Sequence, residues 1–140
     1  MPPPDNDPWA PLFIRLLKFK ERWPAPGWKW DGRLVALESA FGQPMAAAAR
    51  ASADELLPQA WTGDTLAKAP AHVQQLSART GAMRPGQSFL AADAVNGVVP
   101  YGLWWPWGGG ATITLRVGLA GVEPTAEPWP RLRELFSVGG

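Results

Sequence analysis

The sequence predicts an α+β domain, with about four N-terminal helices followed by a three-stranded antiparallel β-meander and a short C-terminal helix. Three observations carry that expectation. Apolar residues recur at helical spacing over much of the stretch from Pro8 to Arg79. After "RPGQ", Arg84 to Gln87, the period shortens to alternation. Within that alternating half, Asn96-Gly97 is a dipeptide suited to the positive φ angles of a tight hairpin turn.

Residues 1–7 are proline-rich and polar and read as a flexible tail, leaving 8–140 as a single domain. The first helix is expected to take Asp7 as N-cap and Pro8 at its first position, and to stop near Trp23 before Pro24. At 100° per residue it places Trp9, Leu12, Phe13, Leu16, Phe19 and Trp23 on one side and Arg15, Lys18 and Arg22 opposite. Ile14 and Lys20 break the division. A second helix is expected over Trp30, Leu34, Leu37 and Phe41, capped by Asp31 and ended by Gly42, although "RLVALE" also fits a strand. The Ala-rich run between Pro44 and Pro58 is the strongest helix by propensity. A fourth helix covers Pro70 to Arg79 and closes at Gly81.

The meander follows. "QSFLAADAV" and "VVPYGLWW" flank the Asn-Gly turn, and "ATITLRV" alternates after three glycines. Pro100 falls inside the middle strand, where it lacks the ladder's N–H. That strand therefore starts at Tyr101 after a wider loop, or carries a bulge. The tail "PWPRLRELFSV" supplies the last short helix.

Composition narrows the chemistry. A chain of 140 residues can bury roughly two-thirds of its unfolded surface, enough for a closed core without staples. No cysteine and a single histidine, His72, remove thiolate and imidazole-cluster chemistry, and no cofactor or metal is expected. The start "MPPPDNDPWA" lacks a signal peptide's basic and apolar regions, so the chain reads as cytoplasmic. No apolar run approaches the ~20 residues of a membrane span. A net charge of +1 gives no long-range field, so any basic surface is local.

Two segments stand out. In "ATITLRV", Ile113, Leu115 and Val117 face one way and Thr112, Thr114 and Arg116 the other. Tyr101, Leu103 and Trp105 share one face of the preceding strand; Trp104 lies on the opposite one, with Phe89 across from it. If Trp104 joins the wet face, Tyr101, Trp104, Trp107 and Arg116 form a binding surface for a protein, small ligand or sugar. Burial is the commoner fate of an indole, and a core Trp104 is the alternative. Each buried indole N–H then needs an acceptor, for which carbonyls beside prolines are the expected source. The second segment, Arg15 to Arg33, carries six basic residues against two acids, with three tryptophans interleaved. Its Arg15, Lys18, Arg22, Trp28, Lys29, Trp30 and Arg33 form an alternative basic and aromatic surface of the kind that binds single-stranded nucleic acid.

Catalysis needs two cooperating groups, and the chain offers few. His72 begins a helix, Asp54 and Glu55 point about 100° apart on another, and Asp64 and Asp93 suit turns. "GGGAT" lacks the Lys-Ser/Thr and helix of a phosphate loop. The expectation is therefore a non-catalytic protein-binding module, such as an adaptor, an accessory subunit or a toxin-neutralising partner. A small-ligand or carbohydrate binder ranks next, and a nucleic-acid binder last.

Overall fold

The computed structural model describes residues 7–81 and 83–138; most of the expected proline-rich tail lies outside them. In chain order the elements are α1 (Ala10–Arg22), β1 (Lys29–Asp31), β2 (Ala36–Gly42), α2 (Ala46–Leu56), β3 (Gln59–Trp61), α3 (Ala71–Arg79), β4 (Ser88–Ala91), β5 (Val99–Trp107), β6 (Thr112–Ala120) and α4 (Trp129–Leu135). All six strands join one antiparallel sheet in the order β1-β2-β6-β5-β4-β3.

This corrects the expected fold class. The sheet has six strands rather than three, and strands and helices are interspersed instead of segregated. The segment expected as the second helix is the β1–β2 hairpin. Leu37, Ser39 and Phe41 pair with Val117, Leu115 and Ile113, so an apolar set that also matches a helical period is used at period two. Asp31 closes a turn instead of starting a helix: its Oδ1 accepts the N–H groups of Arg33 and Leu34 at 3.0 and 3.1 Å. β1 and β3 have three residues each, too few for periodicity to register.

The other helices form close to where their patterns place them. Asp7 holds the turn ahead of α1, its Oδ1 accepting the Trp9 N–H at 2.9 Å, and the helix proper begins at Ala10. At the Asn-Gly turn both residues have positive φ, 50° and 80°, and Val95 and Val98 exchange backbone hydrogen bonds. Pro100 sits within β5 without a bulge, paired with Leu119. Its carbonyl accepts the Ala92 N–H at 3.1 Å, so its nitrogen faces the end of β4. No β6 ladder bond is lost.

One face of the sheet is sealed. Leu37, Phe41, Trp104, Ile113, Leu115 and Val117 pack beneath Leu12, Leu16 and Phe19 of α1, Ala49, Ala53 and Leu56 of α2, and Trp129 and Leu132 of α4. Gly102 lets α2's end approach: a Cβ there would stand 2.7 Å from Leu57 Cδ1. On the second face Phe89, Ala91, Tyr101 and Leu103 are covered by Val73 and Leu76 of α3, with Leu66 and Ala69 of the segment before it.

Candidate functional site

Alternation assigns the hairpin's tryptophans to opposite faces. Trp104 pairs with Leu115, and Trp105 and Trp107 pair with Thr114 and Thr112. The indole sharing a face with Thr114 and Arg116 is thus Trp105, not Trp104. Trp104 is 6% exposed, packed against Phe41 at 5.6 Å and beneath the Arg50 guanidinium. Phe89 pairs with Leu103, and it is Ser88 that lies across from Trp104. Tyr101 is also buried, stacked on Phe89 at 5.7 Å. Of the four residues expected to form one surface, Arg116 and Trp107 share the open part of the second face, Tyr101 lies farther along that face, and Trp104 is core.

The open part is built by cross-strand register. One row runs Trp61, Phe89, Leu103, Arg116, Glu38, Lys29; the next holds Trp105, Thr114 and Ala40. Trp107 folds back along β6, its Nε1–H donating to Thr114 Oγ1 at 3.1 Å. The Trp105 and Trp107 rings meet edge to face, 6.1 Å apart at 86°. Trp107 is 41% exposed, Trp105 is half-buried, and Ala40 and Thr112 are exposed beside them.

Arg116 sits at the floor of this surface. Its Nε donates to Asp31 Oδ2 at 2.8 Å, its Nη2 lies 2.7 Å from Glu38 Oε1, and its Cζ stands 4.9 Å from the Trp105 ring centre. Glu38 also pairs with Lys29 at 3.3 Å. Two cations thus face two carboxylates, and the network is neutral. Partial burial pulls the Asp31 carboxyl upward, but the Arg116 hydrogen bond and charge and the Leu34 and Arg33 amides outweigh it and hold the group below its ordinary value. Arg116 therefore stiffens the sheet beneath Trp105, its charge already matched.

The Arg15 to Arg33 segment does not make one surface. Arg15, Lys18 and Arg22 line a groove of about 210 Å³ between α1 and α2, where Glu55 accepts from both Lys18 and Arg22 at 3.0 and 2.7 Å. Those contacts, the Lys18 hydrogen bond foremost, lower the Glu55 carboxyl's pKa. Trp28 packs on Phe19, Trp23 and Phe136, Trp30 meets Trp129 edge-on, and Lys29 and Arg33 belong to the hairpin. Basic residues and indoles adjacent in sequence thus part company in space.

The sparse titratable groups are likewise dispersed. His72 is exposed at the start of α3, Asp54 pairs with Arg50, and Asp93 accepts from Gln59 Nε2. Sequence reading missed Asp31 and Glu38 as partners of Arg116, and Trp105 as the indole beside it. The alternation of β5 against β6 was the available signal for Trp105. Among the described residues, the indole N–H acceptors in reach are hydroxyls, Ser39 for Trp23 and Thr114 for Trp107, not proline-flanking carbonyls, and the fully buried Trp129 Nε1 has no partner, against the expectation that each buried indole finds one.

No family model, curated protein or solved structure matches the chain. The fold and the surface geometry are therefore what a functional reading rests on. Among the described residues, no helix is long and apolar enough to cross a membrane.

Proposed function

We propose that the protein is a non-catalytic binding module that engages another protein through the open part of its second sheet face, with Trp107 and Trp105 as anchors. The observation that carries this reading is Trp107: a large aromatic ring left 41% exposed yet fixed in orientation by its bond to Thr114. A ring held in place before contact loses little side-chain entropy on binding, and tryptophan is among the residues that most often dominate an interface. An apolar side chain of the partner fits against the two indoles, and Thr112 and Lys29 supply a polar rim. The carboxylates on this face are tied to Arg116 and Lys29, which suits a rigid scaffold better than an acid or base.

The test uses a partner captured from the native host, identified by mass spectrometry, purified and titrated calorimetrically. Trp107→Ala is expected to weaken binding at least about tenfold, or about 1.4 kcal/mol, with the melting temperature almost unchanged. Ile14→Ala, on the outward side of α1 and 70% exposed, leaves affinity as it is. Equal affinity of the wild type and Trp107→Ala, or an equal loss in the Ile14 variant, rejects the assignment.

A further inference from the structure

A second feature of the same sheet face lies away from the indoles. The β1–β2 turn, the C-terminal end of α3 and the chain leaving β6 enclose a cleft of about 310 Å³, within the range of small-ligand pockets. Its walls are mostly apolar, with Leu34, Val35, Leu76 and Ala120 among them. Its polar side chains are two guanidinium groups, Arg33 and Arg79, and two hydroxyls, Thr80 and Tyr101, all able to donate hydrogen bonds, and among the described residues no acidic side chain lines the cleft. Among the described residues neither arginine has a carboxylate within salt-bridge distance.

The chain goes to some trouble to shape this place. Val35 has φ +54°, a left-handed conformation that is costly for a β-branched residue and is held where the surrounding structure imposes it. Asp31 fixes the turn by accepting the Arg33 and Leu34 amides, and is itself held by Arg116. Tyr101 lies flat across β6 because residue 118 is glycine; a Cβ there would stand 2.7 Å from Tyr101 Cε1. Burial pushes the Tyr101 phenol's pKa up, against the pull of the Arg79 charge, so the hydroxyl keeps its proton and can donate it. The negative end of the α3 dipole is softened at this point: Thr80 donates to the Ser77 carbonyl through both N–H and Oγ1, and the Gly81 N–H reaches the Ala78 carbonyl.

We infer that this cleft binds a small organic carboxylate, its apolar body against Leu34, Leu76 and Ala120 and its charge held by Arg33, Arg79 and Tyr101. Guanidinium groups match a carboxylate's two oxygens, and an apolar wall rewards a body that bare inorganic anions lack.

The experiment follows backbone amide shifts while phenylacetate and hexanoate are titrated, in parallel with their neutral counterparts phenylacetamide and hexanamide and with inorganic phosphate. At least one carboxylate is expected to give saturable shifts centred on Arg33, Thr80 and Gly121, at least tenfold tighter than its amide and than phosphate. Arg79→Gln, a substitution at an exposed position, is expected to weaken that binding at least fivefold with the melting temperature unchanged. Trp107→Ala leaves it unaltered, which separates this site from the protein-binding face. Absence of saturation at millimolar carboxylate, equal binding of the amide or of phosphate, or an unaffected Arg79→Gln variant overturns the inference.

Discussion

On one face of the sheet, α1, α2 and α4 lie over Trp104, Leu115 and Phe41 and leave them almost without solvent. On the other, the same strands carry Trp105, Thr114, Arg116 and Ala40, and the one long element covering it is the nine-residue helix α3, with the short segment before it, packed on Phe89, Tyr101 and Leu103. Trp104 and Trp105 are chain neighbours of identical chemistry, yet one is core and the other borders a surface. The difference shows that residue type does not settle an indole's role here; what covers each face does. The two open indoles and the arginine-lined cleft, on which the two proposals rest, both lie on the sparsely covered face.

The largest expected effect breaks the comparison directly. Trp104→Ala removes a ring packed on Phe41 and under Arg50 and is expected to cost about 3–5 kcal/mol in denaturant unfolding. If Trp104→Ala unfolds no more easily than Trp107→Ala, the two faces are not what their burial makes them.

Next in size is the ion network. Arg116→Met leaves Asp31 and Glu38 facing each other beneath Trp105 and is expected to cost about 2–3 kcal/mol, between the values for surface and fully buried pairs. This loss depends on pH in a definite sense. Asp31 titrates below its ordinary 3.8 in the folded protein, so the stability it contributes is present above that value and drains away as pH falls through the lower folded one. The gap between wild type and Arg116→Met therefore narrows in acid. A gap that stays constant from neutral pH down to about pH 2 would mean that Asp31 is not the partner that matters.

Gly118→Ala sharpens the comparison within the second face. The added methyl meets the Tyr101 ring, and overpacking of this kind is expected to cost about 1–2 kcal/mol. Tyr101 is the chain's single tyrosine, so its ring resonances report the displacement without assignment. Unmoved resonances would show that the ring has room to spare.

How far the sequence could be read follows the same division. The helices α1, α2, α3 and α4 carry amphipathic or Ala-rich patterns, bounded by Pro or Gly, that hold over several turns, and their positions were legible. The hairpin at Asn96-Gly97 was legible because two residues alone fix its geometry. The β1–β2 hairpin was not, since Leu37 and Phe41 satisfy a helical spacing as well as a strand's, and Asp31 suits a turn as well as a cap. Missing that hairpin removed two strands from the sheet and, with them, the partners of Arg116. Trp105 was assignable in principle, because it falls on the alternation shared with Thr114 and Arg116. The platform expected at Trp104 required a wet face to continue across a strand whose alternation runs the other way.

The smallest effect is the one on which the functional reading turns. Trp107→Ala gives up one hydrogen bond to Thr114 and a partly exposed ring, so its cost in the isolated protein is expected to stay below about 1 kcal/mol. In the same variant, iodide quenching of tryptophan fluorescence is expected to lose its most accessible component, since Trp107 is the one tryptophan among the exposed large apolar residues. A near-silent change in stability with a clear change in quenching identifies a ring that the fold itself does not need at the surface. If quenching is unaltered, the accessible indole is elsewhere, and the binding face must be sought around the other half-exposed rings, Trp9, Trp28, Trp30, Trp61 and Trp105.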